Sequence, residues 1–316
     1  MLVYLHSNYD FPDLLHQTPH NNGQWGEFQF TTNLLDKCDY IVVLNQPTKN
    51  IHTQCLKGGK IIITQEPPYE RNSYLKLHFR FYDTIISAFK SDSKFKIINS
   101  QAALPWHIGK NYDELMSLVP NPETKKDKVS WITSNNNFFP QHKIRLDFID
   151  YLKNQRFEFD LFGRGFSPIK DKFDGIYPYK YTIAAENYIA NDYFTEKIID
   201  AYLSWSMPIY AGCPNITNYF PAESMIKIDL NNPEESLDII KNAVENKLWD
   251  KNIDAIKHAR ELVLNKYQLF PMLSDFIKNN LISNNSTNYV DTFVPSSGLT
   301  RMEEFKKRIR NILHKK

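Results

Sequence analysis

The chain has 316 residues, 42% of them hydrophobic and 14% aromatic, enough to fill two cores. A formal charge of +2 gives no ground for expecting a nucleic-acid partner. Three scattered cysteines, Cys38, Cys55 and Cys213, exclude a zinc cluster as the organising feature and point to a reducing compartment.

In chain order, Leu2–His6, Tyr40–Asn45, Lys60–Thr64 and Phe95–Asn99 read as buried strands, apolar, β-branched and bounded by turn residues. Thr31–Lys37 and Phe79–Lys90 read as helices between them. Such alternation predicts a parallel sheet with crossover helices. The polar run Val119–Lys128, with Pro120 and Pro122, reads as a linker. Beyond it the pattern repeats. Strands are predicted at Val129–Ser134, Phe157–Phe162, Tyr181–Ala185, Pro208–Ala211 and Met225–Leu230. Helices are predicted at His142–Lys153, Phe194–Ser204, Pro233–Val244 and Asp250–Lys266. The expected class is α/β, with two Rossmann-like units in tandem and a cleft between them. The expected division is 1–122, 123–278 and a C-terminal extension, 279–316.

That extension opens with an Asn/Ser-rich stretch, Asn279–Thr300, expected to be a flexible tether. From Leu299 to Lys316 there are seven Lys/Arg and two Glu, a local +5 that leaves −3 on the rest. Leu299, Met302, Phe305, Ile309, Ile312 and Leu313 recur at helical spacing among these charges. This predicts a basic amphipathic helix, docked on the protein body or resting on an anionic membrane surface. No apolar run approaches the ~18 residues of a membrane span, and no basic region precedes a long apolar stretch at the N-terminus. The expected location is cytoplasmic, or peripheral on the inner face of the cell membrane.

The chemistry concentrates between Glu186 and Gly212. Glu186-Asn187 ends a strand, and Asn191-Asp192-Tyr193-Phe194-Thr195-Glu196-Lys197 leads into a helix. Met207-Pro208-Ile209-Tyr210-Ala211-Gly212 is a second strand entering a glycine turn. This sets a carboxylate and an ammonium at a helix N-terminus beside two strand ends, where open α/β sheets bind nucleotides. A departing nucleoside diphosphate needs its negative charge stabilised, by a metal or by fixed cations. No Asp-x-Asp pair follows a strand as a metal clamp would. Lys197 and Arg145 are the candidate cations, and Glu196 can accept hydrogen bonds from a ribose diol. Alone, Glu196 is equally a first-turn carboxylate answering the helix dipole. In the first half, Lys60-Ile61-Ile62-Ile63-Thr64-Gln65-Glu66-Pro67-Pro68 sets Glu66 just past a strand end, with two prolines fixing the backbone after it. A carboxylate there can take a proton from an acceptor hydroxyl, or simply anchor its loop; Glu70 is the second candidate. His6, His78 and His107 are isolated, Trp25 and Trp106 read as core or acceptor-facing, and Gly163-Arg164-Gly165 is a weak phosphate-turn signal.

These residues resemble the signature of glycosyltransferase family 10, the α-1,3/4-fucosyltransferases. There a Glu-Asn strand end precedes Asp-Tyr-x-Thr-Glu-Lys and a Pro-Val/Ile-x-x-Gly strand. The resemblance is specific over roughly Val129 to Asp229. It implies the two-domain GT-B architecture and transfer with inversion from GDP-β-L-fucose to a hydroxyl of a glycan or lipid-linked glycan, in bacterial surface polysaccharide or oligosaccharide synthesis. It also implies no cofactor and no required metal. Carried over, Glu196 holds the ribose, Lys197 and Arg145 the phosphates, Tyr193, Asn187 and Glu186 belong to the donor pocket, and Glu66 is the base. Where the family often reads Phe-Glu-Asn-Ser, this chain has Ala185-Glu186-Asn187-Tyr188. Another GDP-linked hexose or deoxyhexose donor stays open on that account, as does a sugar-nucleotide binder without turnover.

Overall fold

A computed structural model describes residues 1–91, 93–282, 288–302 and 305–306. The chain divides into two compact units, Met1–Ala102 with Phe270–Lys316, and Ala103–Leu269.

The first unit contains β1 (Leu2–His6), β2 (Gln24–Trp25), β3 (Phe28–Thr31), β4 (Tyr40–Leu44), β5 (Ile51–Leu56), β6 (Lys60–Ile63) and β7 (Thr84–Ile86). Six of these form one sheet, ordered β2-β3-β1-β4-β6-β7, parallel except at the β2–β3 edge. Every residue of β4 is buried, as a central parallel strand covered on both faces requires. The expected helices Thr31–Lys37 and Phe79–Lys90 do not form. Thr31 closes β3, Phe79–Phe81 is a single 3-10 turn, and Thr84–Ile86 is the edge strand β7. Three consecutive buried residues, two of them isoleucine, suit a pleated surface better than a helix turn. Phe95–Asn99 is not a strand either; only Ile98 bridges to Ile86.

The second unit contains α1 (Tyr112–Ser117), β8 (Lys126–Ile132), α2 (Pro140–Asn154), β9 (Phe159–Phe162), α3 (Lys172–Ile176), β10 (Tyr179–Ala185), α4 (Glu196–Leu203), β11 (Met207–Ala211), β12 (Ile226–Lys227), α5 (Pro233–Glu245), α6 (Leu248–Lys251) and α7 (Ile253–Leu262). Its five strands are parallel and ordered β12-β11-β10-β8-β9. Counting along the chain this is the 2-1-3-4-5 order of a doubly wound sheet, which reverses between β8 and β10. The parallel strands of the first unit, β3-β1-β4-β6-β7, follow the same order.

The units divide at Ala102/Ala103, where the sequence suggested 122/123. Trp106, Ile108 and Leu115 are buried in the core of the second unit, so the segment before the proline-rich run belongs to it. The run itself is a surface turn that enters β8 at Lys126. After α7 the chain returns to the first unit through α8 (Leu269–Asn280), whose Phe270 packs edge-on to Phe30 at 5.0 Å. Residues 279–300 are not wholly a tether. β13 (Tyr289–Val294) pairs antiparallel with β5, turning Thr292 and Val294 inward and Asp291 and Phe293 outward. The expected basic helix lies, at 303–304 and 307–316, outside the described residues. Among the described residues no helix is long and apolar enough to cross a membrane.

Candidate active site

β10 is buried along its whole length and ends at Ala185. Glu186, the next residue, has a side chain 0% exposed. A carboxylate taken from water must be compensated, and three donors do this. Thr195 gives its backbone N–H at 2.8 Å and its hydroxyl at 2.7 Å, and Lys197 Nζ lies at 3.3 Å. Thr195 is also the N-cap of α4, its hydroxyl accepting from the Lys197 N–H at 3.4 Å. One side chain thus ends the loop, starts the helix and fixes the carboxylate. Gly212, after β11, completes the pocket by having no side chain. A Cβ there would lie 2.5 Å from Glu186 Cγ and 2.5 Å from Tyr210 Oη.

Around this anchor the charges alternate. Lys197 Nζ lies 3.4 Å from Glu196 Oε1, and Lys172 Nζ lies 3.5 Å from the same oxygen. Lys172 also meets Asp200 Oδ2 at 3.1 Å, and Asp200 Oδ1 accepts the His107 N–H at 2.8 Å. Arg145, buried on α2, donates from Nη1 to Asn187 Oδ1 at 2.6 Å, joining α2 to the end of β10. Burial alone would raise the Glu196 carboxyl, but Lys197, Lys172 and His107 overcome it and hold the group well below the usual carboxylate range. For Glu186, burial wins over the nearby ammonium and the carboxyl is raised. Burial opposes the charge on Lys197, yet Glu196 and Glu186 raise its pKa, so it stays an ammonium at neutral pH.

A cavity of about 290 Å³ opens beside this cluster, outside the carboxyl ends of β10, β11 and β12. Glu186, Ala211, Gly212, Asp229 and Asn231 line it, with Gln141 from the first turn of α2. No side chain caps α2, which starts with Pro140 after β8, and Gln141 of its first turn lines the cavity. A larger, more open depression of about 560 Å³ runs along α5 and carries Glu234, Glu235 and Asp238. The smaller cavity, at the strand ends and walled by Glu186, to which Lys197 is paired, is the candidate.

The structure brings together Glu186, Asn187, Arg145, Glu196 and Lys197. Tyr193 is buried, with its ring edge-on to Tyr188 at 6.0 Å, and does not line the cavity. Glu66 belongs to the other unit, just past the carboxyl end of β6. It is exposed, although the surrounding protein pushes its carboxyl upward and Arg71 opposes this. Its neighbour Gln65 is fixed by Tyr9 Oη at 2.8 Å and by Asn45 Oδ1, which accepts the Gln65 N–H at 2.7 Å. The Gly163-Arg164-Gly165 turn packs on the loop after β8, where a Cβ on Gly165 would lie 2.2 Å from the Asn135 side chain. Sequence reasoning missed Lys172, Asp200, Asp229 and Asn231. Asp200 did carry a signal, as the lone charge within the apolar run Ile198–Leu203; Lys172 carried none. Among the described residues no group of three or more His, Cys, Asp or Glu side chains could hold a metal ion.

Comparison with known proteins finds the following similarities. Residues 122–248 match the model of glycosyltransferase family 10 (fucosyltransferase), C-terminal region. The chain is 34% identical over 134 residues to bovine (Bos taurus) 4-galactosyl-N-acetylglucosaminide 3-alpha-L-fucosyltransferase 9, covering 40% of this chain and 35% of that protein. It is 33% identical over 155 residues to the alpha-(1,3)-fucosyltransferase FucT of Helicobacter pylori, covering 45% and 31%. The chain therefore spans about a third of the length of the curated relatives it matches. A crystal structure of an alpha1,3-fucosyltransferase superposes with a TM-score of 0.51 at 19% identity, covering 92% of this chain and 91% of that one. The fold class expected from the sequence, α/β of the GT-B type, holds. Over residues 122–248 the chain is similar to glycosyltransferase family 10, the fucosyltransferases, in its C-terminal region.

Proposed function

We propose that this protein transfers L-fucose from GDP-β-L-fucose, with inversion and without a required metal, to a hydroxyl of a glycan acceptor. The observation that carries the reading is the Glu186–Lys197–Glu196 cluster with Arg145, set where the sheet order reverses in the unit that matches family 10. Glu196 Oε1 lies within reach of two ammonium groups. In this reading the Glu196 carboxylate accepts hydroxyls of the donor. Lys197, anchored by Glu186, and Arg145, anchored by Asn187, supply positive charge for the departing GDP. Such fixed cations stabilise a leaving group without the rearrangement that mobile water would need.

Glu66 is the proposed base. Although its side chain is exposed, the surrounding protein raises its carboxyl against the pull of Arg71, which favours proton acceptance over a fully solvated glutamate. The acceptor in this reading is a sugar hydroxyl on a bacterial surface-polysaccharide or oligosaccharide precursor, free or lipid-linked. The basic stretch after Leu299 supports work at the inner face of an anionic membrane. A second reading keeps the fold and changes the donor. Tyr188, which stands where family members often have serine, lies edge-on to Tyr193 beside Asn187 and bears on which sugar fits.

The test is GDP release from GDP-fucose and GDP-mannose, with a panel of glycan acceptors, for wild type and Glu66→Gln. Acceptor-dependent turnover of GDP-fucose, lost in the variant, is expected. Turnover of GDP-mannose alone would move the reading to the second donor. Binding of both without turnover under any acceptor would reduce the protein to a binder.

A further inference from the structure

We infer that Lys172 is a positioning residue for Glu196, fixing the direction in which that carboxylate meets a nucleoside-diphosphate sugar. The inference rests on the donor reading above. Glu196 sits in the first turn of α4, and its other cation, Lys197, is the next residue on the same turn. Lys197 refers the carboxylate to Glu186 at the end of β10. Lys172 gives a second, independent reference. It comes from α3, 24 residues earlier, and reaches Glu196 Oε1 at 3.5 Å.

Lys172 is itself held at two further points. Its ammonium lies 3.1 Å from Asp200 Oδ2, one helical turn beyond Glu196 on the same face of α4. The Asp200 side chain is 1% exposed, and its other oxygen accepts the His107 N–H at 2.8 Å. Asp171 caps α3 by accepting from the Phe173 N–H at 2.8 Å, and the same oxygen accepts the Gly109 N–H at 3.0 Å. The 107–109 loop, the start of α3 and the first turn of α4 are thus joined through two aspartates and one lysine. The chain of contacts ends at Glu196 Oε1, with Lys172 and Lys197 both on that atom.

A rival explanation is that Lys172 only neutralises the buried Asp200. The experiment separates the two by isothermal titration with GDP and GDP-fucose from pH 5.5 to 8.5. It compares wild type, Lys172→Met, Lys172→Arg and the double variant Lys172→Met/Asp200→Asn, with thermal melting of each. The double variant removes the orphaned carboxylate, so it folds even where Lys172→Met does not. GDP affinity is expected to fall about tenfold in the double variant, the worth of roughly one charge-assisted hydrogen bond. Lys172→Arg is expected to recover most of it. The groups facing Glu196 are Lys197, Lys172, His107, Glu186 and Asp200. Without Lys172 the acid side of GDP binding is expected to move to higher pH, which a purely structural lysine would not cause. A folded double variant that binds GDP as wild type does, with the same pH profile, overturns the inference and leaves the donor reading standing. Wild type that binds no GDP overturns the donor reading, and the inference with it.

Discussion

Replacing Lys197 with methionine removes the cation facing Glu186, whose side chain is 0% exposed. The two bonds from Thr195 remain, so the carboxylate keeps hydrogen bonds and loses its counter-charge. Removing one partner of a buried pair costs about 3–5 kcal/mol. Lys197 retains 19% side-chain exposure, and a partly screened pair sits below that range, at about 2–3 kcal/mol. The cost has a sign in pH. Burial raises the folded pKa of Glu186, Lys197 pulls it back, and without Lys197 it rises further. A carboxyl with a raised folded pKa costs nothing below its unfolded value, where both states are protonated. The cost grows as pH rises through that value and is complete above the folded pKa. The stability deficit of Lys197→Met is therefore small near pH 4 and largest at neutral pH and above. Adding Glu186→Gln recovers most of it at neutral pH. Urea unfolding followed by tryptophan fluorescence reads this directly, since Trp106, Trp131, Trp205 and Trp249 all lie in the core of the second unit. An equal deficit at pH 4 and pH 8, or no recovery in the double variant, would refute the assignment of Lys197 as the counter-ion of Glu186.

Gly212→Ala places a methyl 2.5 Å from both Glu186 Cγ and Tyr210 Oη. Overpacking of this kind costs about 1–3 kcal/mol, and a melting temperature unchanged from wild type would show that the pocket yields freely. His78 is fully buried, and burial, aided by Arg301 and Arg80, lowers its pKa to about 4. The imidazole is neutral when folded, so its contribution is full above ~6.5 and is lost as pH falls from there toward ~4, by about 3 kcal/mol. His6, lowered to about 4 mainly by burial, adds a similar loss. His78→Leu is expected to flatten roughly half of the acid slope in calorimetry of the folded chain, and an unaltered slope would contradict it. Glu66→Gln is expected to lower kcat by about 10²–10⁴-fold with GDP affinity unchanged. Equal losses in kcat and GDP binding would remove Glu66 from the role of base.

The second unit was more legible than the first, for a physical reason. β10, β11 and α4 are wholly or largely buried and bounded by strong stop signals, so their apolar runs mark them. The signature residues follow directly from their ends. In the first unit the connections are 3-10 turns such as Phe79–Phe81, which carry no helical period, and the sequence suggested a helix over Phe79–Lys90 in their place. β5 and β13 escaped notice because each alternates inward and outward residues over six positions and gains its partner from the far end of the chain. Local pattern cannot register a pairing of that separation. The same limit hid Lys172, whose meaning lies in two carboxylates 24 and 28 residues away. Tyr193, expected from its motif position in the donor pocket, follows a left-handed turn at Asp192 (φ 60°) and has a buried side chain.

The most direct test of the central claim is isothermal titration of the wild-type protein with GDP-fucose, first in EDTA and then with added Mn²⁺. The account predicts micromolar binding that survives EDTA, is unchanged by the metal, and is weaker for GDP-mannose. A folded protein that binds no GDP-linked species, or binds only once metal is added, would contradict it.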